Sequence, residues 1–145
     1  MKDQEIYQKI GELLWSIMAE EATIIFCTGM IYLDINSYGF RWLTQDGKKK
    51  SFDFDKIPGE IGDKVISLME ELRSMEMFVE KWTHFKISLT EEGKIDFAFA
   101  YIPKDDYWPG LFMKGVSELN EEELDIYNIP LEDWRECVKL KEQNK

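Results

Sequence analysis

The chain has 145 residues, of which 44 % are apolar and 14 % aromatic, and a formal net charge of -11 from 29 acidic against 18 basic side chains. That length is enough for one domain with its own core, without disulfides or metals, and the apolar content is too high for a disordered segment. A field of this sign repels phosphate, which argues against nucleic acid and anionic membrane surfaces as direct ligands; it would attract a basic protein, although acidity also serves solubility alone. Cys27 lies in an apolar run and Cys137 near the C-terminus; they lack the spacing of a metal pair or a CxxC motif and read as small buried hydrophobes. The N-terminus has no apolar signal-peptide core, and no stretch approaches the roughly 18 apolar residues of a membrane span, so the cytoplasm is the expected location.

Ile6, Ile10, Leu13, Leu14, Ile17 and Met18 fall on one face of a 3.6-residue period, which predicts an opening amphipathic helix with Asp3 as its N-cap. Gly11 interrupts that pattern and suggests a close helix contact. The β-branched and aromatic run from Thr23 to Leu33 predicts a strand with a bulge at Gly29. Tyr38 to Leu43 predicts a second strand, with Tyr38, Phe40 and Trp42 on one face. The Asp46-Gly47 pair then signals a tight hairpin into a third strand from Ser51 to Phe54. From Pro58 the residues Ile61, Val65, Leu68, Met69, Leu72, Met75 and Val79 keep helical spacing through Lys81. A second hairpin follows: Trp82 to Leu89, a Glu92-Gly93 turn, then Lys94 to Tyr101 with Ile95, Phe97, Phe99 and Tyr101 on one side. Pro103 ends the pairing. Lys104 to Gly115 is an irregular aromatic segment, and the acidic C-terminal segment 117–145 contains a helical turn near Glu121 to Tyr127 and a closing helix from Pro130 to about Glu142. The expected fold class is α+β, a single domain over 1–145: N-terminal helix, antiparallel meander, amphipathic helix, second hairpin and C-terminal helix on one mostly antiparallel sheet.

A search for chemistry returns little. His84 is the single histidine, with no Cys or Ser beside it as a nucleophile, and reads as structural or simply exposed; if Trp82 shares its face, Thr83 and Phe85 take the other. No P-loop, GxGxxG, GxSxG or HExxH is present. Asp53 and Asp55 flank Phe54 on one expected strand face. Asp34 to Gly39 has a faint look of a calcium loop, but Gln45 stands where its last acidic ligand belongs. The chain therefore reads as non-enzymatic, without cofactor or metal. What remains is recognition: Tyr107, Trp108, Leu111, Phe112 and Met113 adjoin the densest acidic run, the composition of a protein-binding surface facing a basic partner. The same loop could instead fold back over the sheet.

The helix Asp63 to Arg73, the Trp82 to Leu89 strand and the Glu92-Gly93-Lys94 turn running into Ile95 to Tyr101 resemble the YezG-like immunity proteins, over roughly residues 1 to 108. The resemblance implies an antitoxin that binds and blocks a cognate toxin domain, such as a nuclease with a basic cleft, in a one-to-one complex. On that basis Asp105, Asp106, Tyr107, Trp108, Glu121, Glu122, Glu123 and Asp125 are the expected contact residues. An adaptor or regulatory protein-binding module is the alternative.

Overall fold

The computed structural model describes residues 2–78 and 80–143. The first helix, α1, spans Asp3–Ile17 and turns Ile6, Ile10 and Leu14 fully inward. Asp3 is not its N-cap; Lys2 holds that position without a side-chain cap, and Asp3 sits in the first turn, where its charge suits the helix dipole. Helix α2 spans Gly59–Arg73 and buries Val65, Ile66, Met69 and Leu72. The helical spacing expected through Lys81 is not used. The Ser74 N–H still donates to the Glu70 carbonyl at 3.1 Å, but Arg73 Nε donates to the Trp82 carbonyl at 2.6 Å and Lys81 Nζ to the Met75 carbonyl at 3.0 Å. These bonds draw the returning chain against the helix end, and tertiary contact overrides periodicity. Met75 still packs on the core, whereas Met77 is exposed; Val79, the last residue of the expected stripe, lies outside the described residues.

Five strands form one antiparallel sheet: β1 Ala22–Ile31, β2 Asn36–Thr44, β3 Lys49–Ser51, β4 His84–Thr90 and β5 Ile95–Ala100, in the order β3-β2-β1-β4-β5. Gly47 and Gly93, at φ +80° and +86°, close the two expected hairpin turns. Strand β3 stops at Ser51, and Phe54–Lys56 form a single 3₁₀ turn. Asp53 and Asp55 therefore do not share a strand face; Asp53 pairs with Lys56 at 3.8 Å. Asn36 to Gly39 belong to β2 rather than to a metal-binding loop.

The register shift in β1 lies between Ala22 and Ile24, not at Gly29, which stays in register with Tyr38 and Phe85. Glycine is required there for space: a Cβ would collide with the Phe85 ring and the Ser37 carbonyl oxygen. At Gly11 no such demand exists: the nearest neighbour of an added Cβ is the β5 residue Ile95, at an ordinary contact distance of 3.5 Å, and not another helix.

The pleat divides the sheet into two faces. Ile25, Cys27, Phe40, Trp42, Phe85, Ile87 and Leu89 face α1 and α2 and make the main core. Ile24, Phe26 and Thr28 alternate with them on the other face and are only half-buried. A second, smaller core forms from Leu111, Val116, Leu119, Leu124 and Ile129, with Trp108, Tyr127, Trp134 and Cys137 packed around it. Helix α3, Leu131–Gln143, supplies Trp134 and Cys137 to this second core and has no buried residue of its own.

Gly29→Ala should lower the unfolding free energy by about 2–3 kcal/mol, as overpacking against a backbone oxygen allows little relaxation. Gly39→Ala, a neighbouring strand position with nothing within 4 Å of the added methyl, should change it by less than about 0.5 kcal/mol; urea denaturation of the two variants checks the pair.

Candidate functional site

The loop that carries the expected contact residues is anchored where β4 begins. Thr83 bonds in both directions: its carbonyl accepts the Ile31 N–H at 2.8 Å and its N–H donates to the Ala100 carbonyl at 2.9 Å. Its hydroxyl accepts the Ile102 N–H at 2.8 Å and lies 3.0 Å from His84 Nδ1. Alternation fails at this point. Trp82 and Phe85 pack together in the main core, ring centroids 5.8 Å apart, while Thr83 and His84 lie together on the other side. The face assignment expected from strict alternation is thereby corrected: regular pairing starts only at His84, and Trp82 precedes it.

His84 is structural, with 1 % of its surface exposed. Its ring meets Tyr32 edge-on at 5.7 Å and Tyr107 at 5.7 Å. Nδ1 pairs with the Thr83 hydroxyl, and the buried Nε2 meets no hydrogen-bond partner among the described residues. Burial pushes the imidazole pKa down to about 4. Tyr32 completes the cluster: its hydroxyl donates to the Ile102 carbonyl at 2.9 Å, its ring lies 5.5 Å from that of Tyr107, and burial pushes its pKa up to about 12.

Past Pro103 the chain makes a 3₁₀ turn over Lys104–Asp106 and runs back over the second core. Asp106 holds this course: its carboxylate accepts the Ser117 N–H at 2.7 Å and the Ser117 hydroxyl at 2.5 Å. Between this loop, the end of β5 and α3 lies a groove of about 560 Å³, walled by Tyr101, Asp105, Asp106, Glu118, Leu140 and Lys141 among others. Among the described residues its one lining cation is already engaged, Lys141 with Glu118 at 3.4 Å. Tyr101 and Leu140 are exposed apolar walls. The Cys137 thiol, which donates to the Asp105 carbonyl at 3.6 Å, is no activated nucleophile, because burial and the nearby Asp106 push its pKa up to about 11.

The eight expected contact residues separate into two groups. Asp105, Glu121, Glu122 and Asp125 are exposed. Asp106, Tyr107, Trp108 and Glu123 are half-buried and engaged within the fold: Asp106 with Ser117, Tyr107 with Tyr32 and His84, Trp108 with the second core. Glu123 closes a capping box with Asn120, accepting its N–H at 3.1 Å. Only Asp105 and Asp106 line the groove. Glu118, Tyr101 and Leu140 join them there and were not singled out from the sequence; Leu140 is exposed, while Trp134 and Cys137 of the same helix pack on the second core. An ion pair between Lys104 and Asp34 ties the β1–β2 connection to the same loop, leaving Leu33 and Ile35 exposed on either side of Asp34.

Because the folded protein holds His84 neutral, the unfolded chain takes up its proton first as pH falls through 6.5. The stability contributed by the neutral ring is complete above that value and is lost toward about pH 4. Between pH 6.5 and 5, unfolding free energy should fall more steeply in the parent than in His84→Gln, by up to about 1.4 kcal/mol per pH unit, read from urea midpoints. The chain matches no protein-family model, and no curated protein matches it.

Proposed function

We propose that this protein is a non-catalytic immunity protein that binds a cognate toxin domain, of the nuclease type with a basic substrate cleft, and occludes it in the cytoplasm. The observation that carries the reading is the groove beside α3. Asp105, Asp106 and Glu118 line it, its one cation among the described residues is paired, and Tyr101 and Leu140 give it apolar walls. A Lys or Arg side chain of the partner would lay its aliphatic stem on those walls and its charged head among the carboxylates. Glu121, Glu122 and Asp125 add exposed negative charge on the same C-terminal segment, around Ile126, which is 72 % exposed.

The parts of such a surface would do different work. Exposed carboxylates act mainly through encounter rate and partner choice, because their attraction is screened over about 10 Å at 0.1 M salt. Affinity would come from desolvated apolar groups, for which Leu140, Tyr101 and Ile126 are placed. Tyr107 and Trp108, held inside the fold, support the loop and are not part of the contact surface in this reading. No helix of the described residues is long and apolar enough to cross a membrane, which is compatible with a cytoplasmic partner.

The test is co-expression with the C-terminal domain of the protein encoded immediately upstream, scoring rescue of growth and co-purification. In the purified pair, Asp105→Lys with Glu118→Lys should slow association by about tenfold at low salt and flatten its salt dependence, with dissociation changed less. An association rate indifferent to both salt and these charges would remove the groove from the interface.

A further inference from the structure

The sheet face away from α1 and α2 is basic over β3, β2, β1 and β4; its exposed acid, Asp96, stands on β5 opposite Ser88. Its His84 and Met30 end is buried, with Tyr107 packed on the His84 ring, but the cover stops after Phe112 and Met113. Beyond it lies a cleft of about 350 Å³ on the sheet, lined by Phe26, Arg41, Lys49, Lys86, Phe112 and Met113 among others, with no carboxylate in its lining. In a chain of net charge -11, three cations without an intervening acid are a marked local reversal. Among the described residues, Arg41, Lys49 and Lys86 are exposed and none is paired with a carboxylate. Two of them rest on aromatic rings instead: Lys86 Nζ lies 4.9 Å from the Phe26 centroid and Arg41 Cζ 6.0 Å from that of Phe112.

We infer that this cleft binds an extended acidic and apolar segment of a protein partner. Register carries the argument for length. Lys49 stands opposite Leu43 on β2, Arg41 opposite Phe26 on β1, and Lys86 opposite Thr28 on β1. The cations thus run obliquely from β3 to β4, three strand spacings or about 14 Å, too far for one carboxylate or phosphate but within the span of five extended residues. Between them lie Phe26 and Leu43, half-buried and able to take apolar side chains. A single nucleic-acid strand fits less well. Stacking platforms offer open aromatic faces to bases, and here cations already lie over Phe26 and Phe112; a strand carrying one charge per nucleotide also meets the full repulsion of the acidic molecule. This inference does not depend on the partner's being a toxin.

Fluorescence anisotropy of the full chain tests it with three labelled probes: a heptapeptide alternating glutamate with leucine, its lysine-leucine counterpart, and an octamer of deoxythymidine. The acidic peptide should bind saturably. It should lose about tenfold or more in affinity in Arg41→Gln with Lys86→Gln, whose melting temperature should stay at the parent value because both side chains are exposed. Asp105→Lys with Glu118→Lys should keep the acidic peptide bound, which separates this cleft from the groove beside α3. The inference is overturned if the acidic peptide does not saturate, if the double Gln variant binds it equally well, or if either other probe binds as tightly.

Discussion

The hydroxyl of Thr83 decides where the chain goes after its last strand. A five-stranded sheet with a central apolar strand has two faces to cover, and two helices cover only one. The other face is closed at one end by the loop after β5, and that loop departs from the sheet at Ile102, whose N–H is held by Thr83 Oγ1 at 2.8 Å. Thr83 can do this because its own backbone joins β1 and β5 at once, and because its side chain stands on the opposite side from Trp82 and Phe85. A hydroxyl buried in this way must be satisfied, and its neighbours supply the partners: the Ile102 N–H, which it accepts, the Ala100 and Ile102 carbonyls at 3.4 Å, and His84 Nδ1 at 3.0 Å. Neutral His84 is therefore part of the same device, and its low pKa follows from being enclosed by Tyr32 and Tyr107 with no charge to balance a second proton.

From that anchor the rest of the C-terminal segment acquires its position. Asp106 clamps Ser117, Trp134 donates its indole N–H to the Leu119 carbonyl at 2.9 Å, and the second core closes beneath α3. The groove and the cleft lie on either side of this segment, and Met113 lines both. Their charges differ because the elements that wall them differ. The groove is built from the acidic C-terminal segment and the loop before it; the cleft is built from strands whose outward residues are Arg41, Lys49 and Lys86.

Much of the sheet and helix framework was legible because its signals are local. Alternation in Ile95 to Tyr101, Asp-Gly at the first hairpin and a 3.6-residue apolar period in α1 each depend on a few adjacent residues. What escaped depends on distant ones. The end of α2 is set by Arg73 reaching Trp82, which no periodicity reports, since Met75 and Val79 continue the stripe. The reversal at Thr83 escaped because a pattern of faces does not say where pairing begins. The aromatic loop was ambiguous for a more general reason: a small core and a binding hot spot draw on the same residues, and Leu111 and Trp108 went to the core. Arg41, Lys49 and Lys86 are brought together only by strand register, so no window along the chain contains the cleft.

The same contrast explains why net charge was a weak guide by itself. Screening limits each exposed charge to about 8–10 Å at moderate salt, so a partner meets local fields rather than the total. Over the roughly 14 Å from β3 to β4, three unpaired cations with no carboxylate in the cleft's lining outweigh more distant acids. In the proposed complex the total of -11 would set the long-range preference for a basic partner, and the two surfaces beside Met113 the orientation in which it docks. A partner with a basic protrusion next to an acidic strand would satisfy both, whereas a uniformly basic one would be drawn in and then resisted at the cleft. Such a surface discriminates by sign over a short distance, which apolar burial alone cannot do.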